Sequence, residues 1–117
     1  MLSLYIYKNC SSCQKAKKYL KEHSISFTEL PIRDTPPSKQ ELKRMLQYMN
    51  DNMVKLFNTS GMDYRSQNLK EVLPKLSAQE ALDMLHSNGN LVKRPFLIGE
   101  DFGTVGFNEE TWDALLD

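Results

Sequence analysis

The chain has 117 residues, 40% of them hydrophobic, and this size suits one compact domain rather than two. Its 15 basic and 15 acidic side chains cancel, so the charge balance predicts no direct binding to nucleic acid or to a membrane surface. No apolar run approaches the roughly 18 residues of a membrane span. Two cysteines without an export signal predict a reducing, cytoplasmic location.

The first third of the chain predicts a strand, a helix and a second strand. Residues 2–7 alternate aliphatic and aromatic side chains, as a buried strand does. Residues 11–23 carry apolar side chains at helical spacing, and residues 26–32 form the second candidate strand. A strand, a helix of three turns and another strand form a βαβ unit, whose strands are expected to be parallel.

The middle of the chain predicts helices. Pro36 and Pro37 break the chain, and Ser38 with Glu41 forms a capping box that opens a helix ending near Met49. Residues 53–57 and 66–73 carry weaker helical signals. A second capping box, at Ser77 and Glu80, opens another helix, which is expected to end near Ser87.

The last part predicts a hairpin and a helix. Residues 95–98 and 104–107 read as antiparallel strands joined by a Gly-bounded turn. Asn108 is expected to cap the final helix, whose predicted core side chains are Trp112, Leu115 and Leu116. The order βαβ, helices, ββα predicts an α/β thioredoxin-like fold with a four-stranded mixed sheet. We expect a single domain over residues 1–117, with a core at about 1–34 and 91–117 and an all-helical insertion at about 35–90.

The pair Cys10-Ser-Ser-Cys13 lies where the first strand gives way to the first helix. Unpaired N–H groups at a helix N-terminus stabilise a thiolate, and Ser11 and Ser12 are expected to contribute such groups. Residues 8–22 carry five Lys and one Glu, which adds positive potential. Cys13, one turn further on, can attack a mixed disulfide formed at Cys10. We therefore predict Cys10 as the nucleophile and Cys13 as the resolving thiol.

Other interpretations of these residues remain open from the sequence. The two cysteines could be small buried hydrophobic residues, or zinc ligands, although His23 and His86 are too far apart in the sequence to form the usual second ligand pair. Arg94 and Arg65 could bind an anion or pair with the acidic C-terminal segment. A thioredoxin-like fold would place Pro95 beside the Cys loop with a cis peptide bond before it.

Several segments together resemble the ArsC/Spx/MgsR family, in particular its uncharacterised ArsC-like branch from Gram-positive bacteria. They are Cys-Ser-Ser-Cys at 10–13, Phe-Asn-Thr-Ser-Gly-Met-Asp-Tyr-Arg at 57–65, Lys-Arg-Pro at 93–95 and Val-Gly-Phe-Asn-Glu at 105–109. The resemblance covers essentially the whole chain. It implies a thioredoxin-like core with a helical insertion, and a redox-active disulfide rather than a bound cofactor.

The arsenate reductases of this family use one Cys to attack arsenate and three Arg to hold the oxyanion. The resemblance assigns the Cys to Cys10, one Arg to Arg94 and a second to Arg65. The third Arg position is occupied by Phe107, which predicts weak or absent arsenate reduction. The resemblance also implies glutathione as reductant, with glutaredoxin or thioredoxin as a partner protein.

The Spx branch of the family implies another function. Spx-like regulators bind the C-terminal domain of the RNA polymerase α subunit through a helical insertion in which a Gly is important. Asn52 stands at that position here, and the sequence ends at Asp117 without the longer Spx tail. We therefore predict a monomeric thiol–disulfide oxidoreductase, with a redox-sensing regulator that binds RNA polymerase as the alternative.

Overall fold

The computed structural model describes residues 2–116. Its strands are β1 (Ser3–Ile6), β2 (Thr28–Pro31), β3 (Phe96–Ile98) and β4 (Gly103–Val105). Its α-helices are α1 (Ser11–Glu22), α2 (Lys39–Tyr48), α3 (Met62–Ser66), α4 (Leu69–Val72), α5 (Ala78–Ser87) and α6 (Glu109–Leu116). Short 3₁₀ turns lie at Met53–Leu56, Leu73–Lys75 and Gly89–Leu91. No helix between residues 2 and 116 is both long and apolar enough to cross a membrane.

The four strands form one mixed sheet in the order β2-β1-β3-β4. Strand β1 pairs with β2 in parallel, with Ile6 opposite Pro31, and with β3 in antiparallel fashion, with Leu4 opposite Leu97. Strands β3 and β4 form the expected antiparallel hairpin. The predicted parallel βαβ unit and the thioredoxin-like α/β fold are therefore confirmed.

The two faces of the sheet support two hydrophobic clusters, because successive side chains of a strand point to opposite faces. Leu4 and Ile6 pack with side chains of α1 and with Trp112 of α6. Tyr5, between them in the sequence, packs on the opposite face with side chains of α2, α4 and α5. The inserted helices thus cover one face, while α1 and α6 cover the other.

Both capping boxes form as predicted. The Ser38 hydroxyl accepts from the Glu41 N–H at the start of α2, and Glu41 accepts from the Ser38 N–H in return. Ser77 and Glu80 do the same at α5. The Tyr5 hydroxyl also donates to Glu41 at 2.6 Å, so the first capping box is joined to the sheet. This bond fixes the start of the insertion relative to β1.

Three sequence predictions require correction. Strand β2 spans only Thr28–Pro31, shorter than residues 26–32. Strand β4 ends at Val105, because Gly106 turns the chain with a φ of 75° and its N–H bonds to the Pro95 carbonyl. Phe107 therefore lies after the strand. Leu115 is 38% exposed in the last turn of α6, whereas Leu116 packs against the core.

Candidate active site

Cys10 is the residue that caps the N-terminus of α1. Its N–H bonds to the Tyr7 carbonyl at 3.1 Å, which closes a tight turn between the end of β1 and the helix. Its Sγ accepts the N–H of Cys13 at 3.4 Å. The side chain is half-buried, and both cysteines are free thiols. Sulfur in this position meets the helix N–H groups that favour a thiolate.

Cys13 occupies the opposite environment. It is fully buried in the cluster between the sheet, α1 and α6. Burial raises the pKa of the Cys13 thiol to about 12, and its hydrogen bond with Cys10 adds to the rise. Cys13 is therefore a protonated thiol at neutral pH, which suits a group that reacts second.

This difference predicts the pH dependence of alkylation. Only the thiolate reacts with iodoacetamide, so the rate at Cys13 should rise about tenfold per pH unit from pH 8 to pH 10 without levelling off. In the urea-unfolded chain the rate should level off near the ordinary cysteine pKa, about 8.5. Peptide mass spectrometry after timed quenching separates the two sites, and circular dichroism checks the fold at each pH. A plateau for Cys13 below pH 9 in the folded protein would contradict its assignment.

Cys10 opens onto a cavity of about 550 Å³. The cavity lies where β1 and β2 end, between the start of α1 and the inserted helices. Its lining includes the predicted site residues Cys10, Ser11, Ser12 and Arg94. It also includes residues that the sequence analysis did not select: Tyr7, Asn9, Arg33, Asn58, Ser60, Gly61, Met62, Asp63, Asn90 and Lys93.

Arg94 brings a guanidinium to this cavity. The peptide bond between Arg94 and Pro95 is cis, as expected from the fold. The guanidinium carbon lies 5.3 Å from the centre of the Tyr7 ring. Its Nη1 atom is buried and, within residues 2–116, has no hydrogen-bond partner. Arg94 is thus placed near Cys10 with unused capacity to donate hydrogen bonds.

Arg33 is a second guanidinium, which the sequence analysis missed. Its guanidinium carbon lies 3.9 Å from the centre of the Tyr7 ring, and its Nη1 donates to the Tyr7 hydroxyl at 3.1 Å. A sequence signal existed, because Tyr7 follows β1 and Arg33 follows β2 shortly after its end. Adjacent parallel strands end at the same edge of a sheet, so both residues belong at the edge where α1 begins.

The inserted helices supply the other wall of the cavity. Gly89 packs so closely on the chain just after β2 that a Cβ there would lie 1.9 Å from the Ile32 carbonyl oxygen. This approach sets Asn90 beside the end of β2, and the buried Asn90 Oδ1 is without a hydrogen-bond partner in the described part of the chain. Asp63, at the start of α3, accepts a bond from Asn88 Nδ2 at 2.9 Å.

Other predicted residues lie elsewhere. Arg65 is exposed and is not among the residues that line the cavity. Lys17 forms an ion pair of 2.9 Å with Glu29, and Lys15 lines a separate hollow beside Phe107. The cationic side chains in the Cys10 cavity are instead Arg33, Lys93 and Arg94.

Phe107 does not line the cavity of Cys10. Its ring packs edge-on against Tyr19 and Trp112, with centroids 5.8 and 5.0 Å away. The His23 ring stacks on the Tyr19 ring, with the two ring centroids 4.0 Å apart. Across residues 2–116, no three His, Cys, Asp or Glu side chains approach one another closely enough to hold a metal ion, so the zinc interpretation gains no support.

Comparison with known proteins assigns the chain to a family. A sequence model of the ArsC family matches residues 5–115. The chain belongs to the ArsC family. The uncharacterised protein YusI of Bacillus subtilis is 45% identical over 112 residues, which is 96% of this chain and 95% of YusI.

Two further relatives extend the comparison. The global transcriptional regulator Spx of Enterococcus faecalis is 36% identical over 110 residues, 94% of this chain and 82% of Spx. The crystal structure of an ArsC-family-related protein from Bacteroides fragilis superposes with a TM-score of 0.91 at 40% identity, over 97% of this chain and 96% of that one. These findings confirm the predicted family and fold. They support a thiol redox protein or an Spx-like regulator.

Proposed function

We propose that the protein is a cytoplasmic thiol–disulfide oxidoreductase in which Cys10 attacks and Cys13 resolves. The observation that carries this proposal is the contrast between the two thiols. Cys10 is half-exposed at a helix N-terminus beside a cationic cavity, and Cys13 is fully buried with a raised pKa. A pair of structural cysteines would not need one sulfur at the mouth of a cavity.

The reaction proceeds in two exchanges. The Cys10 thiolate attacks one sulfur of a substrate disulfide, a Cys10–substrate disulfide forms, and the other substrate half leaves as a thiolate. Cys13 then loses its proton and attacks the Cys10 sulfur, which releases the second substrate thiolate and forms the Cys10–Cys13 disulfide. The substrate disulfide gains two electrons and the cysteine pair loses two. Glutathione, glutaredoxin or thioredoxin returns the pair to the dithiol.

The proposal predicts an internal disulfide. Residues three apart at a helix start can meet the Cα separation of roughly 7 Å that a disulfide allows. Mild oxidation should therefore lower the intact mass by two hydrogens and remove both alkylatable thiols, without forming dimers. Mass spectrometry under non-reducing conditions measures this. Oxidised protein that keeps two alkylatable thiols, or that runs as a disulfide-linked dimer, would contradict the proposal.

Reduction of arsenate is not part of the proposed function. Of the three positions that correspond to oxyanion-binding Arg in the family, only Arg94 lines the cavity with Cys10. Arg65 is exposed outside it, and Phe107 packs against Trp112. A tetrahedral dianion held in a partly buried site needs several charge-assisted donors.

A second candidate function is a redox-sensing regulator that binds RNA polymerase. The 36% identity to Spx over 94% of the chain favours it. Asn52, at the position of the important Gly, is exposed in the turn that follows α2. A pull-down with the purified C-terminal domain of the polymerase α subunit distinguishes the candidates. Binding that depends on the Cys10–Cys13 redox state, without steady disulfide turnover, would favour the regulator.

The whole chain is proposed to act as one monomeric domain. The hydrophobic cluster under the inserted helices includes Tyr5, Ile32 and Phe96 of the sheet region. Insertion and sheet therefore share a core, and the Cys10 cavity takes residues from both.

A further inference from the structure

The cavity beside Cys10 contains charges of both signs. Arg33, Lys93 and Arg94 bring positive charge, and Asp63 brings a carboxylate. A site for a simple oxyanion gains nothing from a carboxylate in its wall, because like charges repel. The mixture instead matches a ligand that carries both an anionic and a cationic group.

Two residues that line this cavity each carry a buried polar atom without a partner, and the two atoms differ in kind. Arg94 Nη1 is a donor, and Asn90 Oδ1 is an acceptor; neither has a hydrogen-bond partner among residues 2–116. Buried polar groups in proteins are nearly always bonded, so such atoms indicate where a ligand or ordered water binds. Arg94 and Arg33 both lie near the Tyr7 ring, and Asn90 and Asp63 both belong to the inserted segment that lines the cavity.

The chemistry of these groups defines their ligand. Guanidinium groups bind carboxylates through paired, charge-assisted hydrogen bonds. An ammonium group donates three hydrogen bonds, which Asp63 and Asn90 Oδ1 can accept. We propose that the cavity binds the α-ammonium and α-carboxylate groups of an amino-acid-type disulfide, with Arg33 and Arg94 on the carboxylate and Asp63 and Asn90 on the ammonium.

This inference rests on the proposed function and names its substrate class. The bound disulfide, derived from cysteine or from a γ-glutamyl peptide thiol, presents a sulfur to the Cys10 thiolate. The Cys10–substrate disulfide forms as the other half leaves as a thiolate, and Cys13 then releases the bound half. A low-molecular-weight thiol supplied in excess restores the dithiol. The cavity volume of about 550 Å³ lies within the usual range for small-molecule sites, roughly 300–1,000 Å³.

A series of small disulfides tests the proposal. Cystine and glutathione disulfide carry both groups, 3,3′-dithiodipropionate only the carboxylate, cystamine only the ammonium, and bis(2-hydroxyethyl) disulfide neither. We expect kcat/KM for cystine and glutathione disulfide to be about tenfold or more above the value for bis(2-hydroxyethyl) disulfide. The value for 3,3′-dithiodipropionate should lie between these two levels. The ratio of cystine to glutathione disulfide identifies the natural source of the amino-acid group.

Substitutions separate the two halves of the site. Arg33→Gln should lower kcat/KM about tenfold more for the carboxylate-bearing disulfides than for the uncharged one. Asp63→Asn should lower it for cystine and glutathione disulfide but not for dithiodipropionate. Arg65→Gln, which removes an exposed guanidinium outside the cavity, is the matched control and should change none of the rates. A general loss of folding would affect all substrates alike.

Binding of ligands that cannot undergo disulfide exchange distinguishes this inference from the proposed function. S-methylcysteine and S-methylglutathione carry the amino-acid group but cannot exchange disulfides. Calorimetry should detect their binding to the native protein, weakened by Arg33→Gln and not by Arg65→Gln. Equal kcat/KM for charged and uncharged disulfides, with no binding of the thioethers, would overturn the inference and leave the proposed function intact. Thioether binding without any disulfide turnover would support the site and overturn the proposed function.

Discussion

A Cys10→Ser variant is expected to lose disulfide reduction by about 10³-fold or more, down to the rate of the free thiol reductant. The reason is that Cys10 has the sulfur that faces the cavity, whereas Cys13 is fully buried and its thiol has a raised pKa of about 12. Serine is nearly the same size as cysteine and can still accept the Cys13 N–H, so the start of α1 should be retained.

The Cys13→Ser variant should behave differently. Its Cys10 can still attack, so one substrate half should accumulate on the protein as a mixed disulfide that mass spectrometry detects. Steady turnover with bis(2-hydroxyethyl) disulfide, coupled to consumption of the reductant, measures both variants. Lys18→Gln, at an exposed position of α1 outside the Cys10 cavity, controls for general effects of mutation there. Activity that survives Cys10→Ser but not Cys13→Ser would reverse the assigned roles.

The helix starts and the sheet could be predicted because their signals are local. Ser38 with Glu41, and Ser77 with Glu80, satisfy the first N–H groups of α2 and α5 with side chains three residues apart. The alternation in residues 2–7 assigns Tyr5 and its neighbours to opposite faces of β1. Such patterns determine which elements form, whereas the walls of a cavity depend on how distant elements pack.

Two features of the cavity depend on how distant elements pack. Arg65 was aligned with an oxyanion-binding residue, but the residues of α3 that line the cavity are Met62 and Asp63. Residues two apart on an α-helix are rotated by about 200°, so a small change of register exchanges a cation for a carboxylate. Asn90 lies at the cavity because Gly89, the residue before it, has no side chain and can contact the Ile32 carbonyl. A single amino-acid sequence does not reveal such a close contact.

The lysines near the Cys pair show why charge counting was insufficient. Five Lys between residues 8 and 22 suggested a cationic site. In the fold, Lys17 pairs with Glu29, and Lys15 and Lys18 line the hollow beside Phe107. Helix geometry distributes nearby residues around the axis, so local sequence charge does not equal charge at the thiol. The cations in the Cys10 cavity come from the segments just after β2 and just before β3.

Arsenate reduction by this protein with glutathione and glutaredoxin is expected to stay within about twofold of the protein-free background. Each charge-assisted hydrogen bond contributes on the order of 1.5–3 kcal/mol, so two missing Arg lower oxyanion affinity by roughly 10²-fold or more. Arg33 compensates for only part of this loss, because its Nη1 already donates to the Tyr7 hydroxyl and only its other N–H groups remain for a ligand. Asp63 in the cavity wall opposes a dianion further.

The proposed Cys10–Cys13 disulfide does not change this expectation. If a Cys10–arsenic adduct formed, attack of Cys13 on the Cys10 sulfur would form that disulfide and release the arsenic, reduced by two electrons, as arsenite. The expected lack of arsenate turnover therefore rests on weak binding of the oxyanion in the cavity. Arsenite production, followed by arsenic speciation alongside disulfide turnover in the same preparation, provides the test, and a glutaredoxin-coupled arsenate reductase serves as the positive control. Arsenate turnover well above background that falls on Arg33→Gln would show that Arg33 and Arg94 together suffice to hold the oxyanion. Turnover that falls on Arg65→Gln would instead mean that Arg65 reaches the cavity when arsenate is bound.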